Sequence, residues 1–567
     1  MIRLSYESTL EHNRRGSHLS AFAQLKSSWT DRLLKWGAIA AAALCLLPML
    51  AVVIAAALGT TDTLRHLADT VLLRYTLTTF YLIVIVAIGT TIIGTGAAWL
   101  VTMTRFPGRS VLEVMLALPF AFPAYVMGYA YTDFLDHPGA VQTLLRSITG
   151  WGPKDYWFPE IRSIGGASLM FILVLYPYVY LLARSAFLRE SATANLAARS
   201  LGRGAAGAFW FVSLPIARPA IAGGVLLVVM ETIADFGTVS YFGIQTFATG
   251  IYTSWFSLAD RGGAAQLAFC LLVFALFLAV LEQIQRGAAR NHAAGQRERR
   301  PQQTQLTGWR AVCASLFCAT PVCFGFVLPI ILLLVMGFDS EQNLFSERYL
   351  GFIKNSVLLA SIAAVTTVFL AIILASYKRF HPGRMAHTSV NIARIGYAVP
   401  GGVIAVGLLV PFAALDNQID VIAETYFNVS TGLIFTGTIT VLVMAYMVRF
   451  MAAAVNTYEG GLATMNPKLE SVSRSLGTNS TGILFRIHLP VLKTSVFTAF
   501  LIVFVDVMKE LPATLIMRPF NFDTLAVQAH RLASDERLAG AAVPSLIIVS
   551  IGLLPVILLC RRLSKSV

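Results

Sequence analysis

The chain alternates between long apolar stretches and short polar segments along most of its length. Each apolar stretch is close to the 20 or so residues that an α-helix needs to cross the hydrocarbon core of a bilayer. The first stretch is longer than the apolar core of a signal peptide, so we expect it to remain as a membrane helix. The pattern predicts an all-α polytopic membrane protein with about 12 transmembrane helices. They lie near residues 36–58, 75–101, 112–134, 166–187, 217–241, 265–284, 311–336, 354–376, 391–414, 432–454, 492–515 and 541–560.

The second half of the chain repeats the first. The segment LAARSLGRGAAGAFWFVSLPIARPAI, residues 196–221, recurs as SVSRSLGTNSTGILFRIHLPVLKTSV, residues 471–496. In both copies Arg-Ser-Leu-Gly is followed by Leu-Pro at the same spacing, and Gly477 stands 275 positions after Gly202. A repeat of this length predicts two similar structural units of six helices each. The predicted parts are an N-terminal segment 1–35, a first half 36–284, a linker 285–310 and a second half 311–567.

Composition and charge support the membrane interpretation and orient the helices. The chain is 56% hydrophobic and 13% charged, which excludes an array of soluble domains. Most of its 43 Lys and Arg residues fall in alternate polar segments. The positive-inside rule then predicts that both termini, the linker and both Gly/Leu-Pro segments are cytoplasmic. The basic residues behind the net charge of +14 are therefore expected to interact with membrane lipid, and no nucleic-acid partner is expected. The basic linker is expected to be a solvated tether.

The duplicated segment resembles the cytoplasmic coupling motif of ABC importer permeases: Glu-Ala-Ala, three residues, Gly, nine residues, Ile-x-Leu-Pro. Leu196 and Ser471 occupy the glutamate positions, although Glu470 stands one residue before the second copy. The chain has no GxxxxGK[ST] loop, so it is expected to be no enzyme itself. The resemblance implies that two copies of a separate ATPase subunit dock here. The implied coupling residues are Arg199, Gly202, Leu214, Pro215, Glu470, Arg474, Gly477, Leu489 and Pro490.

Four carboxylates lie within predicted membrane helices. Glu231 and Asp235 are four residues apart and share one helix face. Asp506 and Glu510 repeat that pair 275 positions later. Buried ionisable groups in a membrane usually face a bundle interior or a cavity, so we expect these four to line a translocation path for a cation. The alternative is that they cap helix ends or pair locally, for which Lys509 is the nearest cation.

The sequences around these carboxylates narrow the family. ADFGTVSYFGIQTFATGIY, residues 234–252, and KELPATLIMRPFNFDTLA, residues 509–526, resemble the fused permeases of iron(III) importers. The resemblance implies a MetI-like permease in a bacterial inner (plasma) membrane, with a periplasmic binding protein as partner and no cofactor. Permeases for thiamine and for some phosphonates are similar and stay open as alternatives. No resident metal site is assigned, and outer-loop polar residues are expected to contact the binding protein or water; these are His137, Tyr156, Asp416, Asp420 and His530.

Two other classes of membrane protein fit parts of the pattern. A gradient-driven secondary transporter is also duplicated and rich in helices, but it has no ATPase to dock on two Gly/Leu-Pro segments. An intramembrane enzyme would need a catalytic signature such as HExxH or GxSxG, and no predicted helix contains one. The six cysteines form no CxxC pattern and are expected to be small packing residues.

Overall fold

The computed structural model describes residues 3–189, 205–293, 303–340, 342–343 and 346–565. This part of the chain is helical apart from two strands of two residues and the connecting turns, which confirms the predicted all-α class. The long helices are Arg3–Leu58, Leu73–Met103, Ile164–Arg189, Leu214–Ala234, Arg261–Ala293, Trp309–Val322, Glu347–Phe380, Gly401–Phe427, Ile439–Thr464, Lys493–Met508 and Leu538–Lys565. Shorter helices include Arg109–Met115, Ala124–Leu135, Ala140–Thr149, Gly237–Tyr241, Leu328–Phe338, Arg384–Ile395, Lys468–Ser475, Pro512–Met517 and Leu525–Ser534.

The membrane helices agree with the apolar pattern. Among the described residues, 10 helices are long and apolar enough to cross a membrane, and the number reaches 12 if each of two bent helix pairs crosses once. The first pair, Arg109–Ala121 and Ala124–Thr149, bends by 95°. It breaks at Phe122, which is extended, because a residue before proline is disfavoured in the helical region. The second pair, Ser480–Val491 and Lys493–Met508, bends by 77°.

The chain packs as two compact units. One comprises Met1–Leu47, Ser361–Tyr397 and Tyr446–Phe504, and its core includes Ala375, Tyr458, Leu462, Met465 and Leu492. The other comprises Pro48–Ala360, Ala398–Ala445 and Val505–Val567, and Ala117, Ala121 and Val556 pack together in its core. These units are defined by contacts and contain segments from both sequence halves, so the division into halves at the linker stays a prediction.

The duplication is visible in local backbone structure. Helix Ala205–Ala208 is followed by a π-helical turn at Phe209–Ser213. Helix Ser480–Ile483 is likewise followed by a π-helical turn at Leu484–His488, 275 positions later. A π-helical turn also precedes Leu-Pro elsewhere in the described chain, at Cys323–Val327 before Leu328 and Pro329. What the two copies share is its position, because the turns at Phe209–Ser213 and Leu484–His488 recur at the same register of the repeat.

The end of the linker is held by the first half. Residues Thr304–Gln305 form a parallel two-residue ladder with Thr104–Arg105. The Gln303 amide extends this contact, since its oxygen accepts a 2.8 Å hydrogen bond from Arg105 Nε. At the other end, helix Arg261–Ala293 continues beyond the predicted boundary at residue 284. The expectation of a solvated tether throughout was therefore wrong for the described ends of the linker, because backbone groups there find partners.

Candidate functional site: coupling segments and paired carboxylates

The second coupling segment forms a short helix with a defined C-terminal stop. Helix Lys468–Ser475, called the coupling helix below, is capped by Leu476 and followed by Gly477, which has φ = +79°. The Gly477 N–H donates to Arg474 O at 3.0 Å, and the Thr478 N–H donates to Ser473 O at 3.0 Å. This pair of bonds is the Schellman arrangement, in which a left-handed glycine satisfies the last carbonyls of a helix. Gly477 therefore ends the coupling helix through a backbone conformation that favours glycine.

The Leu-Pro dipeptides lie inside a continuous helical run in both copies. Pro215 follows the π-helical turn Phe209–Ser213, and Pro490 follows the π-helical turn Leu484–His488. A proline inside a helix has no N–H for the backbone ladder, and in both copies it stands directly after a turn where that ladder is already irregular. Of the predicted coupling residues, Arg199 and Gly202 lie outside the described residues.

Glu470 and Arg474 on the coupling helix are engaged within the chain. Arg379 Nε donates to Glu470 Oε1 at 2.8 Å, and His488 Nε2 lies 3.2 Å from the same oxygen. The Glu470 side chain is 13% exposed. The Arg474 guanidinium stands 5.7 Å from the ring centroid of Phe380. The structure thus gives the motif's acidic residue internal partners that sequence inspection did not identify.

Asp235 and Glu510 occupy equivalent positions and make equivalent bonds. Asp235 Oδ1 accepts the N–H of Thr238 at 2.8 Å, at the start of helix Gly237–Tyr241. The two Glu510 carboxylate oxygens accept the N–H groups of Ala513 and Thr514, each at 3.2 Å. Both carboxylates therefore satisfy the free N–H groups at a helix start. This is the capping role that the sequence left open beside a role in the translocation path.

The other members of the predicted pairs lie one turn earlier. Asp506 Oδ1 accepts from Lys509 Nζ at 2.9 Å, so Lys509 does neutralise one of the four carboxylates. The same ammonium stands 4.9 Å from the Phe120 ring centroid, where a cation is attracted by the ring face. Glu231 is partly buried in helix Leu214–Ala234.

The two capped helix starts approach each other closely. A Cβ on Gly237 would lie 2.8 Å from Leu511 Cδ2 and 2.9 Å from Tyr125 Cβ, so only glycine fits at this point. The Tyr125 hydroxyl donates to Lys509 O at 3.3 Å. Equivalent segments of the two halves thus meet beside one tyrosine. Sequence inspection missed this tyrosine, and an aromatic residue in an apolar run gave no signal.

His530 was predicted in an outer loop, in contact with a binding protein or water, and the structure places it in the interior instead. It is 8% exposed, and Nδ1 lies 2.9 Å from the Tyr129 hydroxyl. Burial lowers the pKa of His530 to about 4, so the ring is neutral at pH 7. Asp416 is also buried and accepts the N–H groups of Phe435 and Thr436. Within the described residues, no three His, Cys, Asp or Glu side chains form a group that could hold a metal.

A polar cavity of about 510 Å³ lies beside the loop that contains Arg162. The Arg162 guanidinium donates to both Glu536 carboxylate oxygens, at 2.6 and 2.8 Å. Its Nε lies 3.3 Å from Asp136 Oδ2. The hydrogen bonds from Arg162 lower the pKa of Glu536. This ion pair therefore joins the loop after the third predicted membrane helix to the loop before the twelfth.

Comparison with known proteins identifies relatives of this chain. A model of the family of binding-protein-dependent transport system inner membrane components matches residues 367–567. The Fe(3+)-transport system permease protein FbpB 2 of Haemophilus influenzae is 27% identical over 86% of this chain and 89% of its own length. The putative ferric transport system permease protein FbpB 1 of the same organism is 22% identical over 80% of this chain and 72% of its own length. The sulfate transport system permease protein CysW of Escherichia coli is 30% identical over 36% of this chain and 68% of its own length.

Proposed function

This chain belongs to the family of binding-protein-dependent transport system inner membrane components, and on that premise we propose that it is the permease of an iron(III) importer. Permeases of this family are subunits of ABC importers in the inner membrane. The chain is therefore a transporter subunit, and it works with a binding protein and an ATPase.

The observation that carries the coupling role is the duplicated segment that ends at Leu214-Pro215 and at Leu489-Pro490. The same π-helical turn and the same proline after it recur 275 positions apart. We assign one ATPase subunit to each copy, which gives two per permease. This assignment places both segments, the linker and both termini in the cytoplasm, as the distribution of Lys and Arg favours. Anionic lipid headgroups would lie next to the basic ends of these segments.

The iron assignment is supported by the relatives that match along most of the chain. The two ferric permeases match 86% and 80% of it, whereas the sulfate permease matches 36%. Carboxylate oxygens are hard ligands that suit a hard cation. We propose that Glu231, Asp235, Asp506 and Glu510 lie along the path and attract the ion weakly enough to release it.

The test is uptake by the purified complex in liposomes, with its binding protein outside and ATP inside. We expect uptake of radioactive iron(III) that requires both ATP and the binding protein. Radioactive thiamine and a phosphonate are measured in parallel as the competing substrates. Uptake of thiamine or phosphonate without iron would replace the substrate assignment and leave the importer assignment intact. Iron uptake that persists without ATP, driven by an ion gradient, would contradict both.

A further inference from the structure

The coupling helix is joined to two other helical segments by one partly buried carboxylate. Glu470 accepts from Arg379 in the last turn of helix Glu347–Phe380. The same oxygen is 3.2 Å from His488, which ends the π-helical turn before Leu489–Val491. One oxygen therefore connects three separate elements of the same compact unit.

Aromatic packing closes the same network from the other side. His488 is fully buried, and its ring stacks on Phe380 with centroids 5.1 Å apart and planes at 17°. Arg474 covers the Phe380 ring from the coupling helix. Two residues of the coupling helix, one turn apart, thus contact the end of helix Glu347–Phe380. A helix held at two points cannot rotate without moving the elements that hold it.

We propose that Glu470 is a positioning residue that fixes the coupling helix to the membrane helices, and that its carboxylate does not bind the ATPase. Movement imposed on the coupling helix would pass through Glu470 to both helices together. The second of these is followed in the chain, after a bend of 77°, by helix Lys493–Met508. This inference rests on the proposed role of Lys468–Ser475 in ATPase coupling.

The sequence of the first copy lacks the carboxylate and the imidazole of this network. The residues 275 positions before Glu470 and His488 are Asn195 and Ser213. The pair Arg379-Phe380, in contrast, has a counterpart in Arg105-Phe106, which precedes Pro107-Gly108-Arg109 as Arg379-Phe380-His381 precedes Pro382-Gly383-Arg384. In the first half, Arg105 binds the linker residue Gln303 instead. The proposed role of Glu470 therefore applies to the second coupling segment.

The experiment compares Glu470→Gln and Arg379→Gln in the complete complex. Lys378→Gln is the matched control, because Lys378 is the adjacent residue of the same helix and pairs with Glu459 at 3.0 Å, away from the coupling helix. Three quantities are measured: ATPase subunit recovered with the permease, ATP hydrolysis, and substrate transported per ATP. We expect both test variants to retain ATPase recovery and hydrolysis and to lose transport per ATP by about fivefold or more. The control should resemble the wild type.

A direct contact with the ATPase predicts a different pattern. Glu470→Gln would then lose ATPase recovery while Arg379→Gln remained normal, and that result would overturn the proposal. If both variants reduce protein level, Arg379→Lys decides, because it retains the cation. If Arg379→Lys transports as much substrate per ATP as the wild type, the positioning role of Glu470 is supported. If a stable Arg379→Lys complex hydrolyses ATP but loses transport per ATP, that role is contradicted. A wild-type complex without any ATP-dependent uptake would instead count against the proposed function.

Discussion

The most direct test of the coupling segment is a graded replacement of Gly477. This residue has φ = +79°, and a Cβ built on it meets no atom within 4 Å. The cost of a side chain therefore comes from the backbone conformation and from nothing else inside the chain. A left-handed conformation costs a residue with a Cβ about 1–2 kcal/mol, which corresponds to a factor of about 5–30 in the population of the native turn. Asparagine tolerates this region better than other residues, and valine tolerates it worst.

We therefore expect ATP-dependent uptake to fall in the order Gly, Asn, Ala, Val at position 477, with membrane insertion unchanged. The assay is uptake by cells or liposomes, normalised to the amount of permease, with recovery of the ATPase measured on the same sample. Gly460 is the matched control. It lies in helix Ile439–Thr464, and its Cβ position is equally open, but its φ is not positive. Alanine there should be harmless or stabilise the helix by about 0.5–1 kcal/mol.

Two results would refute this reasoning. Normal uptake with valine at position 477 would show that the Schellman turn is not needed for coupling. Equal losses with asparagine and valine would show that the side chain collides with the partner and that the backbone conformation is not the cause. Gly202 is expected to respond less, since the first copy lacks an acidic residue equivalent to Glu470.

Three further predictions follow from the carboxylates, the ion pair and the linker. Replacing Asp235 with Asn and Glu510 with Gln together should abolish iron uptake while the protein level stays normal, since an amide oxygen can still accept from the N–H groups at a helix start. Normal iron uptake would leave capping as the role of these carboxylates. A fall in the amount of protein on an immunoblot would indicate a structural role. The pair Arg162–Glu536 should stabilise the protein at neutral pH and lose that effect as pH falls, because the pKa of Glu536 is lowered in the folded state. Melting temperatures of wild type and Glu536→Gln in detergent should therefore differ above the ordinary glutamate pKa of about 4.3 and converge in more acidic buffer, whereas a constant difference would exclude this origin. A reporter enzyme that works only in the cytoplasm should be active when it is inserted into the linker 285–310. Activity of a reporter that works only in the periplasm would reverse the proposed topology.

Several features of this protein were determined by the sequence pattern alone. Apolar length predicts membrane helices because the bilayer imposes one requirement on every span. Each predicted stretch overlaps a candidate membrane helix or a bent pair among the described residues, although stretch 391–414 begins about ten residues before its helix, Gly401–Phe427. The duplication predicted equivalent backbone designs, which recur as the π-helical turns before Pro215 and Pro490. The positive φ of Gly477 was also predictable, because the backbone geometry of a helix end is a local property.

The tertiary structure decided which charged groups are partners. Arg379 and Glu470 are 91 positions apart in sequence, and several other basic residues lie at the same ends of the membrane helices. Gln303 binds Arg105 across 198 positions. Such pairings depend on how the helices pack, since a charged side chain selects the partner that the assembled fold brings within hydrogen-bonding distance. The sequence therefore predicted a coupling segment around Glu470, and only the packed chain showed that Arg379 and His488 are the partners of this carboxylate.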